Sequence, residues 1–489
     1  MTETVSPTAV GVSAPAAPVA KVGYRYVLWI LLFIYIFNFL DRQILNILAE
    51  DVKHDLKLSD GQLGMMTGLV FAVFYTTLGI PIARLADKTN RVWVIGACLT
   101  VWSAFTMIGG LSQNFIQMML SRIGVAAGEA GCSPPAHSLI AQTVPREKRA
   151  GALAFYAIGV PIGSMLSFTV GGLLVGQVGW RMTMFILGAP GILLALLFLL
   201  TVKDPRRGGI AHEAQAADEV QPTFVQTMAL LAKKPAFWWM SAGGAFTAFV
   251  SYTQGNFVAS FFRRSHAQDL ERVAASLGDT LGVHLTVTSL LGPCLGVVVA
   301  STGIIGTLWG GWITDKAKGV DLKIYCGVPA ICALLMIPFT YAFLHVSNVW
   351  FALLLLTAPL GLKTVWHGMV YSTGQSVVPP RCRAMAAALV LFIVNMIGLG
   401  GGPTAVGHLS DVYANGLMGP TGLTVDICKN TGQMIGSGHS AVFTYAYSEC
   451  APAIADGLRK AMFTCSFGAV ASAFCFWMGS RTLKRDMVS

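Results

Sequence analysis

The chain has 489 residues, 54% of them hydrophobic and only 11% charged; a soluble domain carries about 25% charge, so this one cannot clothe itself for water. Its formal net charge of +10 is dispersed over short loops, which argues against a nucleic-acid partner. Ten cysteines contain no CxxC pair, and HExxH is absent, so metal and thiol-redox sites have little support and no cofactor is expected.

Residues 1–23 are rich in Ala, Pro and Val and lack a basic start, which predicts a disordered cytoplasmic tail and no cleaved signal peptide. Twelve apolar runs follow, near 25–48, 62–83, 92–111, 115–138, 150–175, 182–202, 236–262, 293–314, 323–345, 349–371, 384–408 and 460–480. Runs of ~20 residues are long enough to cross ~30 Å of hydrocarbon. The expected fold is therefore an all-α membrane protein of twelve transmembrane helices in two six-helix bundles, over 24–202 and 236–489. Between them 203–235 reads as a polar cytoplasmic linker. Two long segments are expected outside. In 263–292 a small amphipathic helix is expected over a cavity mouth, whereas 409–459 is Gly-rich and expected to be irregular. Cys428 and Cys450 fall in the second, where a disulfide and two free thiols stay equally open. With both termini inside, the larger share of the 33 Lys and Arg residues lies in cytoplasmic loops, as the positive-inside rule requires.

The halves repeat. Ala83-Arg84-Leu85-Ala86-Asp87-Lys88 after the second span has its counterpart in Trp312-Ile313-Thr314-Asp315-Lys316 after the eighth. Pro145-Arg146-Glu147-Lys148-Arg149-Ala150 precedes the fifth, and Pro380-Arg381-Cys382-Arg383-Ala384 the eleventh. Gly159, Pro161, Gly163, Gly171 and Gly172 answer Gly398, Gly400, Gly401, Gly402, Pro403 and Gly407. Two repeated bundles place a substrate site between the halves near midplane. The glycines are expected to permit close approach within each half.

Four ionisable residues sit inside spans: Asp41, Arg42, Arg122 and Glu129. A charge at bilayer depth is expensive, so such groups mark a pathway by default. At ~1.5 Å per residue, Asp41 and Arg122 both lie about 10 Å below the outer ends of their helices. Glu129 is two turns deeper on nearly the face of Arg122. Asp41 and Glu129 are the candidates for proton coupling, since burial favours a neutral carboxyl group and a nearby arginine favours the carboxylate. Arg42 and Arg122 stay charged and suit counter-ion roles or a grip on a phosphate head group. The bland alternative is a static Asp41–Arg122 pair holding two helices in register.

In the tenth span Lys363 and His367 share a face, with Tyr371 a turn further. They suit an anionic head group, or else an interhelical donor and a snorkelling lysine. Lys363 lies about as deep as Glu129 and is expected to face it. Asn38, Asn46, Tyr252, Gln254 and Asn256 are polar cavity candidates, though such amides commonly serve as interhelical glue. Arg84, Asp87, Lys88, Arg91, Asp315 and Lys316 are expected to form a cytoplasmic gate, carboxylates gaining from helix N-termini beside them.

The Asp87-Lys88 loop resembles that of the major facilitator superfamily, although Ala83 and Asn90 stand where its glycines are usual. Asn38-Phe39-Leu40-Asp41-Arg42, the run from Arg122 through Gly128-Glu129-Ala130, and Gly159-Val160-Pro161-Ile162-Gly163 resemble the spinster subgroup over residues 24–205. That resemblance implies a lipid-like cargo such as sphingosine-1-phosphate, a sphingoid base or a lysophospholipid; composition does not. Organic anions or amphipathic drugs are the alternative cargo. No GxxxxGK[ST] occurs, which disfavours an ATP-driven pump. A lipid enzyme is the rival class, yet GxSxG is absent and no histidine neighbours a serine in an evident motif. The expectation is a monomeric, proton-coupled carrier in a bacterial inner membrane, with no enzymatic activity.

Overall fold

The computed structural model describes residues 23–205, 224–317, 322–379, 382–431 and 440–486. The chain runs as α1 (Tyr24–Leu56), α2 (Asp60–Lys88), α3 (Arg91–Gly109), α4 (Phe115–Glu129), α5 (Ser133–Thr143), α6 (Arg149–Ala157) and α7 (Gly159–Thr201). It continues through α8 (Phe224–Ala232), α9 (Pro235–Ser265), α10 (Ala267–Leu281), α11 (Val287–Ala317), α12 (Leu322–His345), α13 (Val349–Leu362) and α14 (Trp366–Ser376). Last come α15 (Arg383–Val394), α16 (Gly402–Met418), α17 (Val425–Thr431), α18 (Ser440–Ser466) and α19 (Gly468–Asp486).

Local chemistry sets these boundaries. Ser59 caps α2 in a reciprocal box with Gln62, each side chain bonding the other's backbone N–H. Asn90, Asn114 and Asn348 accept the first free N–H groups of α3, α4 and α13, which relieves donors that a helix start leaves bare. Nine helices among the described residues are long and apolar enough to cross a membrane. One of them, Gly151–Thr201, has 51 residues, or roughly 77 Å at a helical rise, more than twice a hydrocarbon core. It breaks at Gly179, where φ is 74° and ψ 166°, a conformation open to glycine. The expected fourth span falls outside the nine because it is interrupted between α4 and α5. The seventh, α9, carries Thr247, Ser251, Gln254 and Asn256 along its 31 residues.

Two expectations need correcting. The 409–459 segment is largely helical where described: α16 runs to Met418, α17 spans Val425–Thr431, and α18 starts at Ser440. Cys428 and Cys450 form a disulfide with Cα atoms 5.9 Å apart, tying α17 to α18. The glycines, moreover, do not serve only within halves. Gly159, Gly163, Gly171 and Gly398 do pack inside their own half, against Tyr35, Ile36, Ile44 and Ala248. Gly172, however, meets Gly292 of α11, where an added Cβ would lie 2.8 Å from its Cα. Gly68 likewise faces Gly400, and Gly407 faces Asp60. Backbones of the two halves thus touch along α7–α11 and along α2–α16. The amphipathic helix expected in 263–292 is α10, which walls a depression of about 890 Å³ lined by Asp51, Arg263, Glu271, Asp279 and Thr288. The linker residues 206–223 lie outside the described residues.

Candidate functional site

Arg42 and Glu129 form the ion pair of the buried cluster. Arg42 Nη2 lies 2.6 Å and its Nε 2.7 Å from Glu129 Oε2. Glu129 is fully buried and the Arg42 side chain is 11% exposed. The guanidinium is boxed by aromatic faces, 4.9 Å from Phe39, 5.4 Å from Phe71 and 4.6 Å from Tyr75. Such rings favour a cation over their faces. Glu129's partner is therefore Arg42 and not Lys363.

Asp41 points elsewhere on the same helix. It is fully buried, and neither carboxylate oxygen makes a close hydrogen bond among the described residues, the buried Trp102 indole N–H being the donor within reach. Arg122 reaches its backbone carbonyl at 3.4 Å, not the carboxylate, so the static Asp41–Arg122 pair is not formed. The Arg122 guanidinium instead lies 5.3 Å from the Phe71 ring, with Nε unpartnered. Phe71 is thereby shared by both arginines. Around this cluster the halves meet through tyrosines. Tyr75 and Tyr252 lie within electrostatic reach of Arg42, Tyr252 also within reach of Glu129, and Tyr371 within reach of both tyrosines. Tyr252 packs against the apolar clusters of both halves.

The amides divide by role. Gln254 donates to Thr340 Oγ1 at 2.7 Å in buried packing between α9 and α12. Asn256 bonds the Tyr252 carbonyl one turn back, and Asn46 bonds Gln43. Asn38 is buried with its Nδ2 unpartnered. Lys363 sits at the break between α13 and α14. His367 is exposed, stacked on Trp366 at 4.0 Å, with Nδ1 2.8 Å from the Thr364 carbonyl.

The two ends of the bundle differ. Arg84, Lys88 and Lys316 are exposed, Asp87 is 73% exposed and lies 3.9 Å from Arg91, and Lys316 lies over the Trp312 ring. The Asp315 side chain is outside the described residues. At the opposite end, Arg264 of α9 binds Glu50 of α1 at 2.6 Å and Asp60 of α2 at 2.7 Å. Lys53 adds a 2.6 Å contact to Asp60, and Ser410 of α16 donates to it at 2.7 Å. Asp411 accepts the Asp60 and Gly61 N–H groups at 3.1 and 2.8 Å, placing a carboxylate at the positive start of α2. Arg263 pairs with Asp51 at 2.5 Å. The sequence does not single out this lattice because Arg263 and Arg264 fall just past the expected end of the seventh span, at 262, where charge is ordinary. The available signal was the acidic run Glu50, Asp51, Asp55 and Asp60 at the same membrane level.

Helices packed as glycine-lined pairs around intramembrane charges, without strands among the described residues, define a helical membrane transporter. Residues 31–403 match the family model described as Major Facilitator Superfamily. The chain is 32% identical to an "MFS-type efflux pump" of Mycolicibacterium smegmatis, over 78% of this chain and 83% of that one. It is 26% identical to "Protein spinster homolog 1" of Xenopus tropicalis, over 81% and 75%. Its structure superposes with a TM-score of 0.82 on a crystal structure of a bacterial homologue of the human lysosomal transporter Spinster in an inward-facing, unoccupied conformation. Identity there is 31%, covering 96% of this chain and 99% of the other. The chain belongs to the Major Facilitator Superfamily, within its spinster subgroup. It is an integral membrane transporter, not an enzyme.

Proposed function

We propose that this transporter moves an amphipathic, anionic lipid of the lysophospholipid or sphingoid phosphate type by proton-coupled alternating access. The observation that carries the reading is the Arg42–Glu129 pair beside an unpartnered, buried Asp41. An ionised carboxylate without hydrogen bonds is expensive in such a place, so the arrangement suits a proton on Asp41 and an ionised Glu129. A second proton, on Glu129, dissolves the pair and frees the Arg42 guanidinium. That planar fork then suits a phosphate group, which it can hold bidentately. Phe39, Phe71 and Tyr75 offer apolar faces for the adjoining chain.

The conformation fits one stage of such a cycle. Cross-half ion pairs and glycine contacts shut the Glu50 end, while the Asp87 loop is exposed. The positive-inside bias makes the shut end the outer one, with both termini cytoplasmic in a bacterial inner membrane. The likeness to an inward-facing spinster homologue supports the same assignment. A second reading, efflux of amphipathic drugs, is favoured by the M. smegmatis relative.

Reconstituted liposomes with an imposed proton gradient test both. A labelled lysophospholipid or sphingoid phosphate should accumulate in a gradient-dependent way. In Glu129→Gln the flux should fall at least roughly tenfold and lose its dependence on the gradient, the size expected for about 1.4 kcal/mol of lost coupling. Gradient-driven movement of cationic dyes with none of lipid selects the efflux reading. Unchanged pH dependence in both Glu129→Gln and Asp41→Asn removes the proton assignment.

A further inference from the structure

Thr404, on α16, reaches into the backbone of α2. Its Oγ1 accepts the Leu69 N–H at 3.1 Å and lies 3.3 Å from the Gly64 carbonyl and 2.8 Å from the Gly400 carbonyl of its own helix. Leu69 and Gly64 stand five residues apart, the step that a π turn closes where an α-helix closes four. Met66–Val70 has that wide π geometry, and so has Asn395–Gly401, immediately before α16. The second widening follows from Pro403, which has no N–H to give to the preceding turn. The two wide turns face each other at backbone contact. A Cβ on Gly68 would lie 2.9 Å from both the Gly400 carbonyl oxygen and Thr404 Oγ1.

We infer that Thr404 is a positioning residue of the transport cycle, its hydroxyl holding the wide turn of α2 open while the Glu50 end is shut. The inference rests on the alternating-access reading above. In hydrocarbon a bared amide has no water to turn to. When α16 withdraws, the Leu69 N–H must find a carbonyl within α2, which the turn supplies by tightening to α-helix. A slip of one residue rotates the helix beyond it by roughly 100°. Phe71 and Tyr75 lie beyond Val70 on the same helix, and they are two of the three rings that flank Arg42, Phe71 also flanking Arg122. Separation at one end of the bundle is thereby converted into a rearranged charge cluster at its centre.

Hydrogen exchange of the full chain in nanodiscs tests this, comparing wild type with Thr404→Val and Thr404→Ser. Loss of the hydrogen bond to the Leu69 N–H predicts roughly five- to tenfold faster exchange in Thr404→Val, read in peptides covering 63–71 and 47–62. Thr404→Ser, which keeps the hydroxyl, should match wild type. Thr404→Ala carries the same expectation if the valine variant does not fold. Wild-type exchange in both hydroxyl-free variants overturns the inference, as does a serine variant that behaves like valine. If the 47–62 peptide exchanges faster while 84–91 gains no protection, the clasp stands and alternating access fails.

Discussion

Asp41 and Arg42 are neighbours in sequence and yet serve different contacts, because adjacent helical residues point about 100° apart. Helix depth was readable from the sequence: Asp41, Arg122 and Glu129 lie buried where the span positions put them, and Arg42 is largely covered beside them. Partner choice was not. Depth placed Arg42 level with Arg122, but an arginine is long enough to reach a carboxylate two turns away, and it does so here. No spacing rule reveals which of two adjacent side chains turns towards α4. Arg122 is the sharpest test at this scale. Its guanidinium forms no close ion pair among the described residues, though Glu129 and Asp41 lie within electrostatic reach, and it lies against Phe71 and the Asp41 carbonyl. Arg122→Ala should leave the chain folded, shown by an unchanged monodisperse profile in detergent, while cutting liposome flux at least roughly tenfold, the scale of a lost charge-assisted hydrogen bond. Wild-type flux would leave Arg122 as packing alone.

At the level of helices, the apolar runs and their asparagine and serine caps were legible, since both follow from local chemistry. The repeat was legible too, and it located the glycines. It did not tell which glycine meets the other half, because a small residue permits close approach to any neighbour. Gly172 and Gly292 show the consequence. Their backbones come so near that no side chain fits between α7 and α11. Gly172→Val should hold the two helices apart and keep the Glu50 end from shutting. Faster hydrogen exchange in 47–62 without loss of helix content by circular dichroism is the expected outcome. Overpacking of this kind typically costs about 1–3 kcal/mol, a shift of roughly five- to a hundredfold in the equilibrium it opposes.

Among the described residues, buried charge lies in the central cluster, in the lattice around Arg264 and at the far end, where Arg91, Asp204 and Asp486 are buried. The central cluster was foreseen from composition, since charges stand out in apolar runs. The lattice around Arg264 was not, because its residues fall at span ends, where charge is ordinary. Only the fold brings Glu50, Asp60, Arg264 and Asp411 together from four helices. The structure also resolves the question left open at Cys428 and Cys450. Their bridge sits beside Ala414 and Met418, on the same side of the bilayer as the Arg264 lattice. Because structural disulfides form and persist mainly outside the reducing cytosol, the native chain carries its own reporter of sidedness. A membrane-impermeant phosphine added to intact spheroplasts should expose two maleimide-reactive thiols without any engineered tag. The same reagent should leave them sealed in inverted vesicles, and the opposite pattern would turn the whole topology upside down.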